Sequence, residues 1–222
     1  MTMTSTIISA TTIPVKTDDM SWDDFTQLII DAYSDEEVRL LHAIPTPPMT
    51  GTPGGEEWNN QWLAQRAAAD KRSTQMISFA SKLILEVGKA LAAAVPTFSS
   101  LFIEYAGSGD SGEACDINVY VDRLYKKDTE GNFIPWTDEE NKAFHQQHEA
   151  ANNILPSQLT EWLDETAWGI AYSAHPGFEI DAGGFGQIVV APADENEEGS
   201  PLQLTISHTD RVEETYPEEV LA

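Results

Sequence analysis

The chain has 222 residues, with 12 Lys and Arg against 37 Asp and Glu, so its formal net charge is −25. A direct nucleic-acid binder needs clustered positive charge to neutralise phosphates, so this composition argues against one, and an anionic membrane surface would repel the chain. A basic protein partner is favoured instead, for example a nucleic-acid-binding protein whose ligand the chain mimics in charge. Solubility alone, or adaptation to high salt, would also explain the charge.

Cysteine content and the N-terminal residues indicate the compartment. Cys115 is the single cysteine, so no disulfide can form within the chain, which fits a reducing cytoplasm. No apolar run of about 18 residues is present, and the start of the chain lacks the basic and apolar regions of a signal peptide. We therefore expect a cytoplasmic protein that makes no membrane contact.

The first quarter of the chain is predicted to consist of an arm, a short helical segment and a linker. Residues 1–19 are rich in Thr and predict a flexible N-terminal arm, with a short strand near Thr6–Ile8. Ser21 predicts a helix N-cap, and Ser34 with Glu37 forms a second capping box that predicts a separate helix from residue 35 to 43. The apolar positions of the first helix fall on one helical face, and they are Trp22, Phe25, Leu28, Ile29 and Ala32. Residues 20–55 therefore comprise this helical segment and a Pro/Gly-rich linker.

Residues 56–212 predict one α+β domain, followed by an acidic tail at 213–222. A long helical pattern spans residues 57–95, with a break expected near residues 70–73 because the run is long for one helix. Strands are predicted at 101–105, 116–122, 186–191 and 202–208, and further helices at about 138–152 and 157–174. A capping box of Thr137 and Glu140 begins the first of these helices. The apolar spacing of the second predicts an inward face of Leu159, Trp162, Leu163, Ala167 and Ile170. Alternation of apolar and polar residues in 116–122 indicates a half-buried antiparallel strand. The expected fold is a single antiparallel sheet of about four strands with helices packed on one face.

Two segments rich in Gly and acidic residues, 107–112 and 175–186, are the candidate binding surface, because each borders a predicted strand. We expect them side by side at one edge of the sheet. They form either a shared binding surface or a hydrogen-bonded structural corner. The candidate surface consists of Gly107, Gly109, Asp110, Ser111, Gly112, Asp116, His175, Glu179, Asp181, Gly184 and Phe185.

A metal-dependent enzyme is the alternative function. Carboxylates that converge between the two segments would suit Mg²⁺ or Ca²⁺, and His175 would add a ligand or a general base. These carboxylates are Asp110, Glu113, Asp116, Glu179 and Asp181. The segment at 107–112 lacks the Lys and closing residues of a phosphate loop, and no convincing catalytic constellation is present. We therefore favour a protein that needs no cofactor, and we assign no catalytic residue.

The two segments, followed by the strand that ends in Ile206-Ser207-His208, resemble an uncharacterised bacterial, plasmid- and phage-associated family of unknown function. The resemblance covers about residues 98–212. Similar sequences often carry Trp and Asn where this chain has Phe178 and Asp181. Because no activity is established for that family, the resemblance implies a shared fold and a setting in phage–host or plasmid biology, without any chemistry.

Overall fold

The fold is α+β, as predicted. The computed structural model of the chain describes residues 10–95, 97–108, 111–112, 116–122, 126–174, 183–193 and 200–210. The helices are α1 (Trp22–Ala43), α2 (Glu56–Ala94), α3 (Asp138–Asn152) and α4 (Ser157–Ala174). The strands are β1 (Phe98–Ser108), β2 (Ser111–Gly112), β3 (Asp116–Val121), β4 (Lys126–Lys127), β5 (Phe133–Ile134), β6 (Gly184–Pro192) and β7 (Leu202–Asp210).

One antiparallel sheet organises the molecule. Its long strands run in the order β3-β1-β6-β7, and the two-residue β2 pairs with the end of β1. A separate two-stranded hairpin joins β4 to β5. The prediction of about four antiparallel strands is therefore confirmed. Strands β1, β6 and β7 extend beyond their predicted ends because neighbouring strands continue the hydrogen-bonded ladder, whereas β3 ends one residue before its predicted end.

The core lies between one face of this sheet and the helices. Leu101 and Ile103 of β1 are fully buried, and they pair with Val119 and Ile117 of β3 and with Val190 and Ile188 of β6. Helix α2 contacts β1, β6 and β7, and α4 contacts β1 and β3. In α4, every residue predicted to face inward is buried, namely Leu159, Trp162, Leu163, Ala167 and Ile170.

Helix α1 is one continuous helix, so the prediction of a separate second helix is wrong. Ser21 caps the helix by accepting a hydrogen bond from the Asp24 amide, as expected. The chain does not restart at Ser34, because the buried face continues past it from Ile29 to Glu36 and Leu40. Tertiary packing of this face outweighs the local capping signal.

Helix α2 is also continuous over 39 residues, and the predicted break near residues 70–73 is absent. The preceding segment lies along this part of the helix, where Arg72 donates to the Ile44 carbonyl at 2.6 Å and Gln65 donates to the Pro47 carbonyl at 2.6 Å. Those bonds support the exposed N-terminal half of α2, where Trp62 is 44% exposed. The C-terminal half of α2 is buried and makes the contacts with the sheet.

The outer edge of β3 is covered by a side chain of α3. The Asn152 amide accepts a hydrogen bond from the Val119 N–H at 2.8 Å and donates to the Val119 carbonyl at 3.1 Å. It therefore replaces the backbone of a missing neighbouring strand, which prevents an open edge from pairing with another chain. The capping box of Thr137 and Glu140, predicted from the sequence, begins α3.

None of the helices in the described ranges combines the length and the apolar character needed to cross a membrane.

Candidate functional site

The two Gly-rich segments meet at one end of the sheet, at the residues that the structure describes. Gly107 pairs with Gly112 of β2 on one side and with Gly184 of β6 on the other. The expected juxtaposition thus holds for these three glycines, at a strand end. Ser111 is the strand partner of Ser108 at this end. Five other candidate residues lie outside the described residues, namely Gly109, Asp110, His175, Glu179 and Asp181, and so does the proposed metal ligand Glu113. A shared binding surface at this end stays a prediction.

Glycines of β6 make room for two aromatic rings. The Tyr105 ring crosses Gly186, where a Cβ atom would lie 2.3 Å from the tyrosine oxygen, and the His208 ring lies over Gly184, where a Cβ would lie 2.8 Å from Nε2. The two rings stack with centroids 5.9 Å apart. Any side chain at Gly186 would displace Tyr105, so this glycine has a packing role.

The tyrosine hydroxyl in this pair links β1 to β7. It lies 3.2 Å from the Ser207 carbonyl and 3.2 Å from His208 Nδ1. Both contacts are satisfied together when Nδ1–H donates to the hydroxyl oxygen and the hydroxyl donates to the carbonyl. Because Tyr105 is only 2% exposed, this arrangement serves to hold the sheet end together rather than to meet a substrate.

Two further described candidates, Phe185 and Asp116, lie on the face of the sheet opposite to Leu101 and Ile103. Phe185 projects outward and is 46% exposed, so it does not fill the core. Asp116 is exposed and is the cross-strand partner of Glu104, which is also exposed. Like charges placed directly opposite each other destabilise a sheet slightly. The pair therefore places two exposed carboxylates on this face at a small cost to the pairing of β1 with β3.

A metal centre finds no support among the described residues. Within the described ranges, no group of three or more His, Cys, Asp or Glu side chains is arranged to hold a metal ion. Of the carboxylates proposed as ligands, Asp116 alone is described, and it lies at the start of β3. The carboxylate-lined enzyme site therefore stays a prediction for the segments outside these ranges.

The groove along α1 is a surface that we did not predict from the sequence. It has a volume of about 670 Å³ and lies between α1 and the residues that precede it, which contribute Thr11, Thr12 and Pro14. Leu28 and Val38 of α1 line it and are 42% and 53% exposed. Leu28, which the sequence pattern groups on one helical face with Phe25 and Ile29, therefore lies at the exposed margin of that face.

The sequence signal for this groove is a second helical face. The core face of α1 follows Phe25, Ile29 and Leu40, whereas the groove face is displaced around the helix and carries Leu28 and Val38. Leu28 is adjacent in sequence to the core residue Ile29, so the sequence pattern places both residues on the same helical face. Apolar residues at the spacing of ten between 28 and 38 were the available clue.

The ion pair between Arg39 and Glu36 affects the net charge of the groove. Arg39 forms a two-pronged hydrogen bond with the nearly buried Glu36 carboxylate, with both nitrogen–oxygen distances at 2.6 Å, and the Thr11 hydroxyl donates to the same carboxylate at 2.7 Å. The Arg39 hydrogen bond, supported by that of Thr11, holds the pKa of Glu36 below its ordinary value despite the opposing effect of burial. Because Arg39 is neutralised in this way, Asp31 and Asp35 give the groove its net negative character.

A second cavity, of about 390 Å³, lies beside α3. Trp136 and Phe144 line it, and its ionic groups include Lys126 and Glu140, which form an ion pair with each other. Asp122 also lines this cavity, so the cavity has one carboxylate besides that ion pair, whereas the groove along α1 has two, Asp31 and Asp35.

Comparison of the chain with protein-family models, curated proteins and solved structures finds no match.

Proposed function

We propose that this chain is an acidic binding protein whose partner is a protein with a basic surface. The net charge of −25 is the observation that carries the proposal. Charge of this magnitude raises association rates with oppositely charged proteins and disfavours like-charged ones.

The distribution of the few basic groups supports this function. Arg39, Lys89 and Lys126 pair with carboxylates of their own or a neighbouring element, and Arg72 is engaged by a backbone carbonyl. Local pairing of this kind leaves much of the acidic surface without a basic neighbour. Exposed carboxylates occur on several elements, including Asp23, Asp31 and Asp35 of α1, Glu104 of β1, Asp116 of β3, and Glu161 and Glu165 of α4.

A nucleic-acid-binding protein is the partner class that fits best, because its phosphate-binding surface is a dense array of Lys and Arg. The chain would then act by mimicking the charge of the nucleic acid, as an inhibitor or accessory factor in the phage or plasmid setting that the resemblance suggests.

A capture experiment tests the function. The full chain is immobilised and exposed to bacterial lysate at about 0.05 M and 0.5 M NaCl, a range across which the Debye length falls well below 10 Å. Beads coated with polyglutamate at matched charge are the control. We expect basic proteins that bind the chain but not polyglutamate at low salt, and that are released at high salt or by added duplex DNA.

Two results would contradict the proposal. Recovery of the same proteins on both types of bead would show that the charge acts non-specifically. Recovery of no basic protein at low salt would remove its basis.

A further inference from the structure

We propose that the groove along α1 is the docking site for a basic amphipathic helix of the partner protein. This inference rests on the proposed function and adds to it a location and a sequence pattern for the partner. The groove combines exposed apolar side chains with unneutralised carboxylates, which a basic amphipathic helix would match on both counts.

The groove face of α1 has the spacing of a helix-packing seam. Leu28, Asp31, Asp35, Val38 and His42 follow one another at intervals of three and four residues, and all five are exposed. This spacing is that of the a and d positions through which two helices pack side by side. On an ordinary surface helix these positions carry polar residues. Leu28 and Val38 are exposed on either side of Asp31 and Asp35, which indicates a surface against which another helix can pack.

The distances along the seam determine the pattern that the partner must carry. Leu28 and Val38 are ten residues apart, which is about 15 Å along a helix. The matching helix therefore has two apolar side chains about ten residues apart on one face, with Lys or Arg at the positions of that face between them. These cations would lie against Asp31 and Asp35, which are four residues apart and so adjacent on the helix surface.

Charge also determines which occupant fits. A second copy of this chain would place the same carboxylates against each other, at a net charge of −25 per chain. Like charges brought together in this way cost several kcal/mol across an interface. A basic helix instead replaces that repulsion with attraction, so the partner is a different protein.

The test uses a synthetic peptide as the probe. It is a labelled, alanine-rich helical peptide of about 18 residues, with two leucines ten residues apart and lysines between them on one face. A scrambled peptide of the same composition lacks the seam. We expect the full chain to bind the patterned peptide at least about tenfold more tightly than the scrambled one in fluorescence anisotropy.

Two variant chains locate the site. Asp31→Asn with Asp35→Asn removes the charge from the groove, and Glu161→Gln with Glu165→Gln removes the same charge from an exposed face of α4 at the same spacing. Because all four residues are exposed, neither change should disturb folding, which circular dichroism verifies. The groove variant should lose at least about tenfold in affinity, and the α4 variant should lose less than about twofold. Leu28→Ser should weaken binding as well.

The outcomes separate the two proposals. Equal binding of patterned and scrambled peptides, or equal losses in the two variants, would overturn the groove as the site while leaving the broader acidic binding function intact. Binding that appears only after removal of residues 1–9 would also overturn it, since the chain itself would then be the occupant. Failure of the lysate capture together with absence of peptide binding would overturn both.

Discussion

Glu36 is a nearly buried charged residue in the interior of α1, and two hydrogen-bonding residues stabilise its carboxylate. Arg39 and Thr11 satisfy its carboxylate, so burial costs less than it would for an isolated charge. The pair also connects the segment before α1 to the helix, which gives the groove its second wall. Glu36, which lies between the predicted capping residues Ser34 and Glu37, therefore links two segments of the chain.

Replacing Glu36 with Gln should lower the free energy of unfolding by about 1.5–3 kcal/mol at pH 7, the range for hydrogen bonds to charged groups. The pKa of Glu36 is lowered in the folded state, so its stabilising effect is complete above the ordinary pKa of about 4.3. It is lost as the pH falls through the lowered folded-state value. Urea unfolding of both proteins at several pH values should show the difference shrinking below about pH 4.

Glu37→Gln is the matched control, because Glu37 is the next residue of α1 and is exposed. Its effect should stay within about 0.5 kcal/mol throughout. A loss in the Glu36 variant that does not change with pH would show that the carboxylate contributes through shape rather than charge.

At the scale of elements, a close contact between α2 and the sheet depends on a glycine. A Cβ atom on Gly88 of α2 would lie 2.4 Å from Val190 Cγ1 of β6, so the missing side chain lets the helix approach the strand. In the sequence this glycine only predicts a weaker helix. Its cost to the helix is therefore compensated by packing.

Gly88→Ala should destabilise the protein by about 1–3 kcal/mol, the usual effect of overpacking a core, even though alanine is the better helix former. Gly169→Ala in α4 is the control, since a Cβ there meets no atom within 4 Å. That variant should gain about 0.5–1 kcal/mol. Thermal or urea unfolding of both measures the contrast, and stabilisation by Gly88→Ala would disprove the close approach.

The sequence predicted elements best where local and tertiary preferences agree. The predictions of the inward face of α4 and of the capping box of α3 were correct. Both signals come from residues that are close together in sequence, and the tertiary contacts agree with them. Continuity of α1 and α2 was missed because it depends on distant partners, such as the bond from Arg72 to Ile44. For the site, the meeting of Gly107 with Gly184 followed from strand pairing, whereas the groove required knowing which of two faces of α1 is buried.

For the molecule as a whole, the net charge of −25 opposes folding, because a compact chain holds its carboxylates closer together than an unfolded one does. Added salt screens this repulsion, since the Debye length falls from about 30 Å at 0.01 M to about 8 Å at 0.15 M. The melting temperature should therefore rise by several degrees over this range. A change of 1 kcal/mol corresponds to about 2–4 °C for a protein of this size.

Differential scanning fluorimetry in NaCl and in KCl measures the effect, and the two salts should act alike if screening is the cause. A melting temperature that falls as salt is added would mean that favourable ion pairs, such as those of Glu36 and Glu140, outweigh the repulsion.

The position of β6 beside β1 also determines when the sheet can close during folding. Strand β1 and its neighbour β3 follow one another closely, whereas the β1–β6 pairing joins Leu101 to Val190 and Gly107 to Gly184. Contacts so distant along the chain form slowly, because the entropy of closing the intervening loop is lost before the pairing stabilises it. On the ribosome, all four helices emerge before β6 does. The central strand β1 therefore keeps one edge unpaired until β6 has been synthesised, which makes the nascent chain most prone to misassociation before that point.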